Sequence, residues 1–153
     1  MAWSSEDLKN DYDEKAPLYN SLCEELSKQI EELLRDASVA LAVPLEARVK
    51  TLDSLLDKCE RNSLEPEALS EIADLAGLRV VVLFRRDSDK AREIIRANFE
   101  VLREEDTADR LAEDQFGYGS IHFEVSPKKA WLELPTLHKL EGLAAEIQLR
   151  TAS

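Results

Sequence analysis

Leu78-Arg79-Val80-Val81-Val82-Leu83-Phe84 is an apolar, β-branched segment that carries a single charged side chain. Residues of these types favour extended backbone, and an unbroken apolar run of this kind is typical of a buried strand. The run is far too short to cross a bilayer, which takes about 20 apolar residues in a helix. The segment therefore predicts a strand inside a sheet and argues against a transmembrane protein.

The patterns that follow this strand alternate between helix and strand. Residues 88–98 have the periodicity of a helix that crosses over a sheet, and residues 99–102 predict a strand. Residues 104–115 are charged and predict a loop. Residues 120–125 and 145–150 each alternate polar and apolar side chains, which predicts two further strands with one polar face each.

The amino-terminal part of the chain has the spacing of amphipathic helices. The first apolar stripe comprises Tyr19, Leu22, Cys23, Leu26, Ile30, Leu33 and Leu34. It predicts a helix that has Pro17 in its first turn and ends near Asp36. A second helical pattern begins after Pro44, and a short helix is predicted over residues 68–72.

These elements together predict an α+β fold with a mixed sheet of four to five strands flanked by helices. A chain of 153 residues suits a single domain. We divide it into an amino-terminal helical segment, residues 1–42, and a core that comprises residues 43–153. No internal repeat or low-complexity tract interrupts it.

The charge of the chain limits its partners. It has 20 Lys and Arg against 32 Asp and Glu, a net charge of −12. This charge opposes non-specific binding to nucleic acid or anionic membranes, so any anion site must be local. The first residues lack the pattern of a signal peptide, and we expect a cytoplasmic protein. Cys23 and Cys59 lack metal or disulfide spacing and are expected to be reduced core residues.

The second helical pattern carries a stripe of hydrogen-bond donors within an arc of about 80°. Its members are Lys50, Ser54, Lys58 and Arg61. Such groups suit the phosphates of a nucleotide because they offer donors without a competing charge. A solvated helix face has the same composition and is the alternative. Arg48 falls outside the arc and is expected to lie before the helix proper.

Polar residues next to the predicted strands are the other candidates. Asp74 lies just ahead of the buried strand, a position suited to a metal-binding carboxylate, and Gly77 marks either a close backbone approach or a helix C-cap. His122 lies on the polar face of one strand, and Glu146 and Gln148 lie on that of another. A polar sheet face either contacts water or lines a site.

Four motifs follow one another along the chain: Arg48-x-Lys50-x-x-x-Ser54-x-x-x-Lys58, Asp74-Leu-Ala-Gly77-Leu-Arg79, Gly117-Tyr118-x-Ser120-x-His122 and Glu146-Ile-Gln148-Leu-Arg150-Thr151. In order and wording they resemble the synthetase domain of RelA/SpoT-type alarmone synthetases. The resemblance covers residues 48–151 and implies a nucleotidyltransferase-like synthetase fold in a small stand-alone member.

The resemblance also implies a reaction. Enzymes of this family transfer the pyrophosphate of ATP to the ribose 3′-hydroxyl of GDP or GTP and so make (p)ppGpp, the alarmone of the stringent response. The implied substrates are ATP and GDP or GTP, and the implied cofactor is Mg²⁺. By the same resemblance, Arg48 and Arg79 would enclose the adenine. The ATP phosphates would be bound by Lys50, Ser54, Lys58 and Arg61.

The remaining implied roles concern the metal ion and the acceptor. Asp74 and Glu146 would bind Mg²⁺, and Glu146 would also accept the proton of the attacking 3′-hydroxyl. Tyr118 would stack on the acceptor guanine, His122 would contact the acceptor phosphates, and Gln148 would also bind the acceptor. A hydrolase of the same group is excluded because its His-Asp metal doublet does not occur in the sequence.

Departures from the family pattern leave the acceptor open. Gly119 stands where the family commonly has a basic or polar residue, and residues 104–114 are acidic. The phenylalanine before Gly117, Phe116, resembles that of toxin-type members, some of which modify the 3′ end of tRNA. Because an acidic loop repels a polyanion, we favour GDP or GTP. The alternatives are tRNA, an adenosine nucleotide, or a non-catalytic nucleotide-binding module. Family members normally continue into one or more helices after the strand that ends near Thr151, and we expect these helices to be missing here. A homo-oligomer is compatible with the sequence.

Overall fold

A computed structural model describes residues 3–107 and 119–152, and within them the chain forms a five-stranded mixed sheet. The strands are β1 (Glu46–Val49), β2 (Ala76–Val82), β3 (Glu100–Asp106), β4 (Ile121–Ser126) and β5 (Ala145–Thr151). Their order across the sheet is β1-β2-β5-β4-β3. β2 and β5 pair in parallel, and the other neighbours are antiparallel.

Helices cover one face of this sheet. They are α1 (Ser5–Asp36), α2 (Leu52–Arg61), α3 (Ser88–Asn98) and the single turn α4 (Lys129–Leu132), with short 3₁₀ turns at Leu69–Glu71, Arg85–Asp87 and His138–Leu140. Alternate strand residues, among them Val80, Phe123 and Ile147, are fully buried in the core with apolar residues of α1 and α3. The opposite sheet face is polar and open. Within the described ranges, no helix is both long and apolar enough to cross a membrane.

The first helix begins much earlier than the sequence predicts. Ser4 is its N-cap and accepts a hydrogen bond from the Glu6 N–H, so Pro17 lies in the helix interior, exposed, rather than in the first turn. Long-range contacts stabilise the added turns: the Trp3 indole N–H donates to the Pro66 carbonyl at 2.9 Å, and Leu8 is fully buried. The helix ends at Asp36, as predicted.

The second prediction that fails concerns the residues after Pro44, which were expected to begin a helix. Glu46–Val49 forms the edge strand β1 instead, paired with β2, and α2 begins at Leu52 with Thr51 as its N-cap. A segment this short has no distinct periodicity, and its partner strand lies about 30 residues away in the sequence. Lys50 therefore lies before α2 rather than on it.

Most of the other elements agree with prediction. The helix over residues 88–98 and the strands at 78–84, 120–125 and 145–150 are confirmed within two residues at each end. β3 extends to Asp106, however, into the segment predicted as a charged loop. The remainder of that predicted loop, residues 108–115, lies outside the described residues.

An ionic cluster explains why charged residues form the end of β3. Glu104 accepts hydrogen bonds from the guanidinium groups of Arg92 and Arg96 on α3 at 2.5 to 2.9 Å. These bonds, above all the one from Arg96, lower the pKa of Glu104 to about 2, although burial opposes the shift. The cluster therefore fastens β3 to α3 through charge rather than through apolar contact.

We predict that Glu104→Gln, which keeps the shape but removes the charge, lowers the free energy of unfolding by about 1–2 kcal/mol at pH 7. Because the folded-state pKa of about 2 lies below the ordinary value of 4.5, the contribution is complete above pH ~4.5 and declines as the pH falls toward 2. Urea unfolding at pH 7 and pH 3 measures this difference. The difference in unfolding free energy between the wild type and Glu104→Gln should be smaller at pH 3 than at pH 7. Equal unfolding free energies of the two proteins at pH 7 would contradict the prediction.

The matched control for this experiment is Glu93→Gln. Glu93 also pairs with Arg96, at 2.8 Å, but its side chain is 69% exposed. An exposed ion pair on one helix contributes about 0.3–0.5 kcal/mol, so this variant should unfold almost as the wild type does.

Candidate active site

The polar face of the sheet contains an open cleft of about 520 Å³ where β1, β2 and β5 meet. Six of the residues singled out from the sequence line it: Arg48, Lys50, Asp74, Arg79, Glu146 and Gln148. They come from β1, β2 and β5, from the residue just after β1 (Lys50) and from the segment just before β2 (Asp74), and strand pairing brings them together. The two residues predicted to bind the metal ion and three of those predicted to bind ATP therefore line one cleft.

The register of the strands explains how these side chains meet. Arg48 on β1, Gly77 on β2 and Glu146 on β5 lie in one row across the sheet, and Arg79 and Gln148 lie in the next. Gly77 is thus inside a strand and is neither a turn nor a helix C-cap. A Cβ added there would meet the Glu146 carbonyl oxygen at an ordinary 3.9 Å. The glycine matters because a larger side chain would occupy the floor of the cleft.

Asp74 is held between two lysines. The Lys58 ammonium lies 2.6 Å from its Oδ1, and the Lys50 ammonium lies 3.3 Å from its Oδ2. Burial alone would raise the pKa of Asp74, but the Lys58 hydrogen bond and the charge of Lys50 together bring it below its usual value. Asp74 is therefore a carboxylate at neutral pH, paired with the two cations that the sequence assigned to phosphates.

The backbone of Lys50 is fixed on both sides. Its N–H donates to the Leu75 carbonyl at 2.7 Å, and its own carbonyl accepts a hydrogen bond from the Tyr12 hydroxyl at 2.9 Å. Tyr12 lies in the early turns of α1, which the sequence analysis did not recognise as helical. Nothing in the local sequence indicates this contact, because it joins residues far apart in the chain.

Arg48 and Arg79 lie diagonally across the β1–β2 ladder, since Arg48 is opposite Gly77 and Arg79 is opposite Glu46. Diagonal neighbours in antiparallel strands are about 7–8 Å apart. Arg79 also faces the Glu46 carboxylate at 3.7 Å, but both side chains are more than half exposed, so the pair is weak. Glu46 is a cleft residue that the sequence analysis missed; the alternation of Glu46 and Arg48 was the available signal.

A second hydrogen-bonded group borders the cleft on the β4 side. The His122 Nδ1 lies 2.9 Å from the Glu146 Oε1, and the His122 Nε2 lies 2.8 Å from the Ser120 hydroxyl. His122 is also opposite Gln148 in the β4–β5 register. The residues predicted for the base and the acceptor are therefore neighbours.

The remaining predicted residues lie apart from the cleft wall. Ser54 and Arg61 are on the exposed side of α2 and do not line the cleft, while Lys58 reaches it only through Asp74. Tyr118 lies outside the described residues.

The donor set of the cleft fits Mg²⁺. In the part of the chain that the structure describes, no group of three or more His, Cys, Asp or Glu could hold a metal ion alone. Asp74 and Glu146 nevertheless line the same cleft. Mg²⁺ is commonly bound by one or two carboxylates together with substrate phosphates and water, so two carboxylates in one cleft are a suitable set of protein ligands.

Comparison with known proteins identifies the class of protein. Residues 47–153 match the family described as "Region found in RelA / SpoT proteins". The chain therefore belongs to the RelA/SpoT family. It is 33% identical over 107 residues to the GTP pyrophosphokinase YjbM of Bacillus subtilis (strain 168), a match that covers 68% of this chain and 47% of that protein. The chain thus spans about half the length of this curated relative.

Solved structures agree with the fold. The small alarmone synthetase 1 from Bacillus subtilis is 25% identical, with a TM-score of 0.72 over 92% of this chain and 71% of that one. The same protein bound to its product pppGpp is also 25% identical, with a TM-score of 0.73 over 93% of this chain and 74% of that one. The predicted α+β class with a mixed sheet is confirmed.

The ion pairs of Asp74 with Lys58 and Lys50 allow a prediction about the pKa of Asp74 in the protein without ligand. In Lys58→Met the shorter hydrogen bond is lost while the burial remains, so the pKa of Asp74 should rise. The carbon-13 shift of the Asp74 carboxyl, followed against pH by NMR, measures it. Lys139→Met, at an exposed lysine that does not line the cleft, should leave the titration unchanged. An identical Asp74 curve in Lys58→Met would show that the ion pair does not hold in solution.

Proposed function

We propose that this protein transfers the pyrophosphoryl group of ATP to the ribose 3′-hydroxyl of GDP or GTP and so makes (p)ppGpp. The observation that carries the proposal is the shared cleft, in which two carboxylates, Asp74 and Glu146, lie beside the cations Arg48 and Lys50. The relatives support the same reaction, since one is a GTP pyrophosphokinase and another is a structure bound to pppGpp. We place this activity in the cytoplasm, where nucleotides are available.

The adenine of ATP would lie between Arg48 and Arg79. The two side chains start from diagonal positions about 7–8 Å apart on the ladder, and both guanidinium groups would turn to place one aromatic ring between them, with a contact of about 3.5–4 Å on each face. Guanidinium groups stack well on aromatic faces. The weak Glu46 contact of Arg79 is easily exchanged for the nucleotide.

The phosphates of ATP would lie next to the lysine pair. Lys50 and Lys58 now neutralise Asp74, and both ammonium groups can turn to phosphate oxygens. Ser54 and Arg61 lie on α2 on either side of Lys58 and would extend the set of donors outward. Asp74 and Glu146 would hold Mg²⁺, which when bound supplies positive charge to the phosphates at the point of transfer.

Glu146 is our candidate for the base. It would accept the proton of the acceptor 3′-hydroxyl while that oxygen forms a bond to the β-phosphorus of ATP. The bond between the β-phosphorus and the bridging oxygen of the α-phosphate breaks, and AMP leaves. Positioning and removal of the proton are the contributions a protein can make to such a transfer.

The acceptor would occupy the β4–β5 side of the cleft, beside Gln148 and His122, with Tyr118 stacked on its base. The net charge of −12 disfavours a long polyanion such as tRNA. A free guanosine nucleotide is therefore preferred to the tRNA 3′ end. A non-catalytic binding module is disfavoured because it has little need for paired carboxylates.

Loss of either carboxylate tests the mechanism. Glu146→Gln and Asp74→Asn should each lower kcat by at least about 100-fold, because a base or a metal ligand is removed while the shape is kept. Conversion of γ-labelled ATP and GDP to product, resolved by chromatography, gives the rate. Glu124→Gln is the matched control: Glu124 lies opposite Glu146 on β4 but does not line the cleft, and it should turn over normally. Near-wild-type rates in Glu146→Gln would exclude it as the base.

The acceptor is tested by offering GDP, GTP, ATP and tRNA separately. Product should form with GDP or GTP, and Tyr118→Ala should raise the acceptor KM by roughly 5- to 150-fold, since stacking of a base contributes about 1–3 kcal/mol. Tyr118→Phe retains the ring and should behave as wild type. Product that forms only on tRNA would overturn the choice of acceptor.

A further inference from the structure

His122 joins two residues through both of its ring nitrogens. Its Nδ1 lies 2.9 Å from Glu146 on the neighbouring strand, and its Nε2 lies 2.8 Å from the hydroxyl of Ser120, the residue just before β4. All three side chains are partly buried, so water competes less for these bonds than it would at the surface.

The donor and acceptor properties of these three side chains determine the direction of the hydrogen bonds. The Glu146 carboxylate can only accept, so the proton of the neutral ring must lie on Nδ1. Nε2 is then an acceptor, and the Ser120 hydroxyl must donate to it. The order is therefore Ser120 to His122 to Glu146, and it ends on the carboxylate that lines the cleft.

Ser120 is itself held firmly. Its N–H donates to the Thr107 hydroxyl oxygen at 2.7 Å, and its carbonyl accepts from both the N–H and the hydroxyl of Thr107 at 2.9 Å. Three bonds to one threonine fix the backbone from which the Ser120 hydroxyl projects. The hydroxyl is thus positioned by β3 and β4 together before any substrate binds.

We propose that His122 is a positioning residue for Glu146, and that Ser120 acts through His122 by fixing its tautomer. The inference rests on the proposed function, since it assigns these residues to the base of that reaction. The Nδ1–H bond to Oε1 fixes the orientation in which the Glu146 carboxylate meets the 3′-hydroxyl. His122 acts through the carboxylate and is not primarily a contact to the acceptor phosphates.

Two substitutions separate these roles by geometry. The amide nitrogen of Asn is as many bonds from Cα as Nδ1 is, and that of Gln is as many as Nε2 is. His122→Asn therefore keeps a donor toward Glu146, whereas His122→Gln moves the donor to the Nε2 position. If His122 positions the base, kcat should fall by less than tenfold in His122→Asn and by about 100-fold in His122→Gln, with the acceptor KM unchanged in both.

The opposite pattern overturns the proposal. If His122 mainly contacts the acceptor phosphates, His122→Gln should be the milder change and His122→Asn should raise the acceptor KM. His138→Asn is the control, because His138 is the other of the two histidines in the chain and is exposed. It should leave kcat and KM unchanged.

Ser120 has its own series. Ser120→Ala should lower kcat by about 5- to 10-fold at constant acceptor KM, the value of one hydrogen bond, and Ser120→Thr should restore it because the hydroxyl returns. Ser126→Ala removes a hydroxyl at the other end of β4, one that donates to the Leu143 carbonyl, and controls for loss of stability. Equal kcat values in Ser120→Ala and the wild type would remove Ser120 from the mechanism.

A measurement on the free protein keeps this inference separate from the proposed function. Ring nitrogen-15 NMR at pH 8 should find the His122 proton on Nδ1 alone. A proton on Nε2, with or without one on Nδ1, overturns the chain of hydrogen bonds. If the wild type makes no 3′-pyrophosphoryl product with any acceptor, the proposed function fails. The tautomer of His122 still tests whether the hydrogen bonds run from Ser120 through His122 to Glu146.

Discussion

The parallel pairing of β2 with β5 is the contact on which the cleft depends. It sets Gly77 beside Glu146 and Arg79 beside Gln148, although about 70 residues separate the partners along the chain. Asp74 reaches the cleft because it immediately precedes β2, and His122 reaches Glu146 because β4 pairs with the other edge of β5. Both strands are buried on their inner face, so the hydrophobic core holds the polar groups in register.

Local patterns in the sequence were sufficient for α3, β4 and β5, where periodicity and burial coincide. The resemblance of the four motifs to one family named six residues that line the cleft, and strand pairing brings these residues together. Local patterns failed where stability comes from distant partners. β1 is a strand only because β2 lies beside it, and the early turns of α1 depend on contacts such as that of Trp3 with Pro66. The Tyr12 contact with Lys50 likewise has no local signal.

Charge acts in two different ways within this acidic chain. Around Glu104 the charges stabilise the fold, since the two arginines of α3 are paired with Glu104 on β3 and are not available to a ligand. In the cleft the cations are held by Asp74 or exposed, as Arg79 is, and can be exchanged for phosphate or a base. A net charge of −12 is thus compatible with an anionic ligand because the cleft does not share the acidic excess of the whole chain: Arg48, Lys50 and Arg79 line it together with Glu46, Asp74 and Glu146.

The length of α1 has a consequence for how this family is divided into units. The family match begins at residue 47, yet the early turns of α1 bind the segments that lead into α2 and β2: Asp11 accepts the Leu69 N–H, and Tyr12 holds Lys50. Leu8 and Leu22 are buried in the same core as the sheet. The unit that folds is therefore larger than the unit that sequence comparison detects. Tyr12 and Asp11 lie outside the family match, yet they contact Lys50, which lines the cleft, and the segment that leads into β2.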